Sequence, residues 1–164
     1  MKLHLGTDHG AFELKQKVKQ WLTDQGHEVV DHGAHELDME DHYVDFIFPA
    51  AKAVAADKES LGIVFGGSGQ GEAMAANRIK GVRAAVFYSP ATPAGAIDAE
   101  GNTSDDEYEI LKLTRAHNHS NVLSIGGRFM DFETVKMAID TWMSAPVSDV
   151  ERHVYRVQEL DKRT

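Results

Sequence analysis

Short apolar runs alternate with longer amphipathic ones along almost the whole chain, and this rhythm limits the fold more than any other feature. "KLHLGT" (2–7), "HEVVDHG" (27–33), "LGIVF" (61–65), "VRAAVF" (82–87) and "NVLSIGG" (121–127) read as strands. The third is apolar at nearly every position, as a strand covered on both faces must be. Between the strands, "AFELKQKVKQWLTDQG" (11–26) sets Phe12, Leu14, Val18, Trp21 and Leu22 near helical spacing and stops at Gly26. "DHYVDFIFPAAKAVAADK" is a second helix that Pro49 interrupts or kinks. "GEAMAANRIKG" is a third, ending at Gly81. "DFETVKMAIDTWMSA" starts from an Asp131 cap, and "SDVERHVYRVQEL" from a Ser148 or Asp149 cap. Strands alternating with helices predict an α/β fold, a doubly wound sandwich of three layers around a parallel sheet. Periodicity leaves the strand order open.

The 164 residues suit one domain, 1–164, with a single core. One segment breaks the alternation. Residues 88–108, "YSPATPAGAIDAEGNTSDDEY", are rich in Pro, Gly, Ala and acid and predict a surface excursion. The chain has no cysteine, which excludes disulfides and thiolate metal sites. A net charge of −9 argues against a nucleic-acid partner, although a few arginines can still build a local anion site. "MKLHLGTDHG" has no long apolar stretch and no segment approaches the length of a membrane span, so the expectation is a cytoplasmic protein without a membrane partner.

In open α/β sheets, ligands bind beyond the carboxyl ends of the strands. Thr7, Asp8, His9 and Gly10 follow the first strand, Gly66 to Glu72 the third, and Gly126, Gly127 and Arg128 the fifth. "GGSGQGE" fails as a dinucleotide fingerprint, because the third glycine position is Glu72. It also fails as a P-loop, because Glu72-Ala73 stands where Lys-Ser/Thr is required. Four glycines in six residues still let backbone N–H groups converge on an anion at a helix start, and that anion can be an oxyanion formed during a reaction. Taken alone, Glu72 in the first helical turn is most simply a favourable dipole partner; beside such donors it is also a candidate base. Arg152 and Arg156 lie at i and i+4, either a solvated basic face or a phosphate grip. His4, His27, His32 and His35 read as surface or turn residues. His42, His117, His119 and His153 form no metal signature, and no metal is expected.

"TDHGAFELK", "GGSGQGEAMAAN", "RAHNHSNVLSIGGR" and "ERHVYR" together resemble the type B ribose-5-phosphate isomerases, a family that also includes galactose-6-phosphate isomerase subunits. The resemblance runs in order along most of the chain. It implies a Rossmann-like five-stranded parallel sheet of order 2-1-3-4-5, a homodimer or dimer of dimers whose C-terminal helix is exchanged between subunits, and no cofactor. It implies interconversion of ribose 5-phosphate and ribulose 5-phosphate through a cis-enediolate. Carried over by position, Asp8 and His9 contact the sugar. Gly67, Ser68, Gly69, Gln70 and Gly71 form the loop that binds substrate and holds the enediolate. His117 opens the ring beside the substrate contact Asn118, and Arg128, Arg152 and Arg156 bind phosphate, the last two from the partner subunit. Tyr43 lines the pocket, although "DHYVDF" departs from the usual D-Y-P. Many members carry a cysteine base at the position of Gly66; this chain fits the branch whose base is a glutamate at the position of Glu72. Two alternatives stay open: the same chemistry on an allose, galactose or tetrulose phosphate, and a non-catalytic phosphosugar-binding module.

Overall fold

The computed structural model describes residues 1–163; the last residue of the expected 1–164 domain lies outside them. Strands β1 (Lys2–Thr7), β2 (Glu28–Asp31), β3 (Leu61–Gly66), β4 (Ala84–Phe87) and β5 (Val122–Gly126) form one parallel sheet. Helices α1 (Phe12–Asp24), α2 (Tyr43–Ala56), α3 (Gln70–Ala76), α4 (Glu109–Asn118), α5 (Phe132–Ser144) and α6 (Glu151–Lys162) cover it. The α/β architecture follows the sequence pattern, but the strand order does not follow the resemblance. The order is β2-β1-β3-β5-β4, not 2-1-3-4-5. Burial explains the difference. All five residues of β5, VLSIG, are buried and need neighbours on both sides, whereas three of the four in β4, AAVF, are only half-buried and suit an edge.

The order also satisfies the handedness rule. Strand-to-strand moves in one direction cross on one face of the sheet, and moves in the other direction cross on the opposite face. Accordingly α2 and α3 share one face around Ile47, Val54, Val64 and Ala76. The other face holds α1, α4 and α5 around Val18, Leu22, Leu111, Ile139 and Trp142. Trp142 is fully buried, and its indole Nε1–H donates to Ser120 Oγ at 2.8 Å, so the ring enters the core with no polar atom stranded.

Several local expectations change. Helix α2 continues as one element through Pro49. Helix α3 stops at Ala76, short of Gly81, because the Asn77 side chain bonds both backbone groups of Ala84 and turns the chain into β4. Helix α4 was not predicted; it buries only Leu111 among its apolar side chains, too little for a visible period. Asp131 caps α5 by accepting from Thr134 N–H. The α6 cap is Val150, whose N–H donates to Ser148 Oγ, and Asp149 takes no part. His4 is not a surface residue: it is buried in β1 with Nδ1 2.9 Å from His32 Nε2, and burial pushes both pKa values down. Lys15, fully buried, donates to Asp31 Oδ1 at 2.6 Å and Ala34 O at 2.7 Å, while Lys19 takes Asp31 Oδ2. The 88–108 segment has no helix or strand; Ala91 N–H donates to Glu107 O at 2.8 Å and closes its base.

Candidate active site

The carboxyl ends of β1, β3 and β5 meet at one edge, as the register requires: Thr7 pairs with Phe65, and Gly66 with Gly126. Backbone bonds clasp the exits together. Gly127 N–H donates to Gly66 O at 2.8 Å and Arg128 N–H to Gly67 O at 3.1 Å. Thr7 Oγ1 donates to Phe65 O, tying the Asp8 turn to the same place. Asp8 Oδ1 accepts from Gly10 N–H at 2.8 Å.

The glycine loop leaves β3 and enters α3. Gly69 holds φ 75°, a conformation that side-chain-bearing residues rarely adopt, and this turn presents the first residues of α3 to the edge. Ser68 is exposed, and its Oγ accepts from Gln70 N–H at 3.3 Å, one of the helix-start donors that lack an intrahelical acceptor. Gly71 lies against the Tyr43 ring: a Cβ built there would sit 3.1 Å from Tyr43 Cζ. Tyr43 therefore joins the site in spite of its unusual sequence context. Gly67 lies under Arg128, whose Cζ would be 3.0 Å from a Cβ at that position.

Glu72 is 5% exposed, and its carboxylate occupies the space beside Gly66 where a side chain would begin. Burial pushes its pKa above the usual glutamate range. Its own backbone N–H partly opposes the shift, and the nearby Asp8 charge adds to it. A carboxylate raised in this way and set beside exposed donors is poised to take and return a proton.

His9 was expected only as a sugar contact, and the structure adds its partner. Asp41, in the turn before α2, takes His9 Nδ1 at 2.7 Å and His9 N–H at 3.0 Å. That hydrogen bond, opposed by partial desolvation, raises the His9 pKa. Nothing in the local sequence except a carboxylate two residues before Tyr43 signals Asp41. Asp8, His9 and Asp41 bring three potential ligand atoms within 4.8 Å of one another, and one oxygen of each carboxylate is engaged, Asp8 Oδ1 by Gly10 N–H and Asp41 Oδ1 by His9.

Asp8, His9, Tyr43, the loop 67–71, Glu72 and Arg128 thus converge within one chain. His117, Asn118, Arg152 and Arg156 do not join them. Helix α4 runs back to the amino edge, where β5 starts at Val122 beside Gly62 and Ala84. Asn118 lines a hollow of about 360 Å³ there with Asn77, Ala84 and Asp161. The length of β3 puts roughly 15–20 Å between this edge and Glu72. The His117 ring stacks on His153 of α6, with ring centres 4.3 Å apart. Helix α6 rests on its own chain through buried His153 and Val157, with Arg152 and Arg156 exposed. Arg152 lies 3.5 Å from Glu100 of the 88–108 excursion. A further hollow, of about 520 Å³, lies under Tyr88, Pro93 and Ile97; it is mostly apolar and holds none of the ionisable groups above.

A buried carboxylate, a glycine loop and an arginine at the carboxyl edge of a five-stranded parallel sheet make an α/β site suited to an anionic ligand and proton transfer, and the relatives of this chain are sugar-phosphate isomerases. The chain belongs to the Ribose/Galactose Isomerase family, whose profile matches residues 3–101 and 104–160. It is 37% identical to ribose-5-phosphate isomerase B of Mycobacterium tuberculosis over 98% of this chain and 88% of that protein. It is 32% identical to the Escherichia coli protein of the same name, over 97% and 93%. The solved structure of ribose-5-phosphate isomerase B from Mycoplasma genitalium with bound ribulose-5-phosphate superposes with a TM-score of 0.83 at 28% identity, covering 99% of this chain and 95% of that one. Among the described residues, no helix is long and apolar enough to cross a membrane.

Proposed function

We propose that this protein interconverts ribose 5-phosphate and ribulose 5-phosphate through a cis-enediolate, with Glu72 as the base. The observation that carries this is the Glu72 carboxylate: buried, raised in pKa and seated beside Gly66 at the mouth of the glycine loop. Glu72 removes the C2 proton of the open-chain aldose. The released pair forms the C1–C2 double bond while O1 takes up negative charge. Ser68 and the loop N–H groups hold that charge. Glu72 returns its proton to C1 as the O2 proton passes to O1, leaving the ketose. Arg128, lying on Gly67, binds the phosphate, and the remote anionic handle orients the reacting carbons.

The single chain lacks the ring-opening histidine at this edge, so the site is completed by a second subunit. In a homodimer, or a dimer of dimers, the partner subunit's His117 passes the anomeric proton to the ring oxygen. The partner's Asn118, Arg152 and Arg156 close over the sugar and its phosphate. On this view α6 stays on its own chain and reaches over its neighbour instead of being exchanged. The reaction needs no metal or organic cofactor, and the setting is cytoplasmic.

The 88–108 excursion supports a second reading of substrate range. It starts at Tyr88, whose Cβ lies 2.7 Å from a Cβ built on Gly126 at the same edge, so it is placed to select the sugar. A panel of ribose, allose, galactose and erythrulose phosphates ranked by kcat/KM, with solvent deuterium uptake at C2, tests both. Binding without exchange would reduce the protein to a phosphosugar-binding module. Mixing Glu72→Gln with His117→Ala chains tests the shared site. Random heterodimers carry one intact site and restore about a quarter of wild-type turnover. No recovery, with chain exchange verified, rules out a site shared between subunits.

A further inference from the structure

Asp41 sits outside the glycine loop, yet it holds one of the site's few cationic candidates. Its Oδ1 accepts two hydrogen bonds from a single residue, from His9 Nδ1 at 2.7 Å and from the His9 backbone N–H at 3.0 Å. The Asp41 side chain is 8% exposed and that of His9 25% exposed. The second oxygen, Oδ2, is buried with no hydrogen-bond partner. Among the described residues, His9 is the one basic side chain within ion-pair distance of Asp41. A buried carboxylate with an unsatisfied oxygen is costly unless a positive charge stands beside it.

We infer that Asp41 is a positioning residue for His9, fixing the ring and its charge so that Nε2–H is presented to the substrate as a cationic donor. A carboxylate only accepts, so Nδ1 must carry a proton, and the two-point grip on ring and backbone leaves one orientation. Nε2, on the far side of the ring, is left for the ligand. The groups facing His9 pull in both directions. Asp41 and Asp8 favour the imidazolium, and Arg128 opposes it, with Asp41 the largest influence. Arg128 and a His9 whose pKa is raised thus share one mouth of a chain whose net charge is −9, which suits an anionic ligand. The inference rests on the isomerase reading for its substrate, but the His9–Asp41 coupling does not depend on it.

The test uses Asp41→Asn, which keeps shape and both acceptor contacts while removing the charge. The His9 ring is titrated by NMR, assigned with His9→Gln, and ribose 5-phosphate kinetics are taken in parallel. The His9 midpoint should fall in Asp41→Asn. KM should rise roughly tenfold near neutral pH with kcat little changed, and the defect should shrink as pH is lowered. In a His9→Gln background, Asp41→Asn should add almost nothing. An unchanged His9 midpoint, or an equal loss in both backgrounds, overturns the inference. The titration needs no substrate, so a protein inactive on ribose 5-phosphate would sink the isomerase reading and still leave the coupling measurable.

Discussion

Gly66→Ala offers a sharp test of how this site is built. The φ of Gly66 is not positive, so the backbone itself tolerates a side chain there. The obstacle is Glu72. An added Cβ would lie 1.9 Å from Glu72 Oε1, 2.1 Å from Cδ and 2.5 Å from Oε2. Ordinary contact begins at 3.4 Å, so the carboxylate must retreat by about 1.5 Å. It is the free end of a flexible side chain, so it can swing away at little cost to the fold. Catalysis is less forgiving, since displacements on the order of 1 Å cost about 10²-fold. Gly66→Ala should therefore lose about a hundredfold in kcat for ribose 5-phosphate isomerisation while its thermal melt stays within a few degrees of wild type. The double variant with Glu72→Gln should be little slower than Glu72→Gln alone, because both remove the same base. A folded Gly66→Ala enzyme with near-normal turnover would refute the assignment of Glu72. By the same geometry, a cysteine side chain at position 66 and the Glu72 carboxylate would compete for one volume on this backbone.

Glu72→Gln should lose about 10²–10⁴-fold in turnover. It should also be more stable than wild type near neutral pH, because a carboxyl whose folded pKa is raised destabilises the fold once ionised. The gain should vanish as pH drops below the ordinary glutamate range, and each kcal/mol appears as about 2–4 °C in Tm. The acid limb of the kcat/KM profile should lie above the pKa of a solvated glutamate, with activity falling as pH falls through it; a limb in the ordinary carboxylate range contradicts a buried base. Lys15→Met leaves Ala34 O without its donor and removes one of the three donors that hold Asp31, and should lower stability by about 3 kcal/mol by denaturant melt. A loss well under 1 kcal/mol would mean that Lys19 and the Gly33 N–H suffice to hold Asp31.

The sequence by itself determined the α/β class, because period-two and period-3.6 patterns are local and "LGIVF" can be apolar throughout only in a covered strand. It also picked out the strand ends that meet at one edge, since Asp8, Gly66 to Glu72 and Arg128 each follow an apolar run directly. Tertiary structure decided the rest. The neighbours of β5 depend on how much of each strand is buried, a property of the whole sheet, and the order moved from 2-1-3-4-5 to 2-1-3-5-4. The seat of the Glu72 carboxylate depends on a missing side chain six residues earlier, a contact that appears only when α3 folds back over β3. Asp41 reaches His9 across 32 positions with no pattern to announce it. His117 and Asn118 looked like members of the same site, but the direction of α4 sends them to the opposite edge. A helix connecting parallel strands must run back against them, so its end cannot face the carboxyl ends of its own sheet.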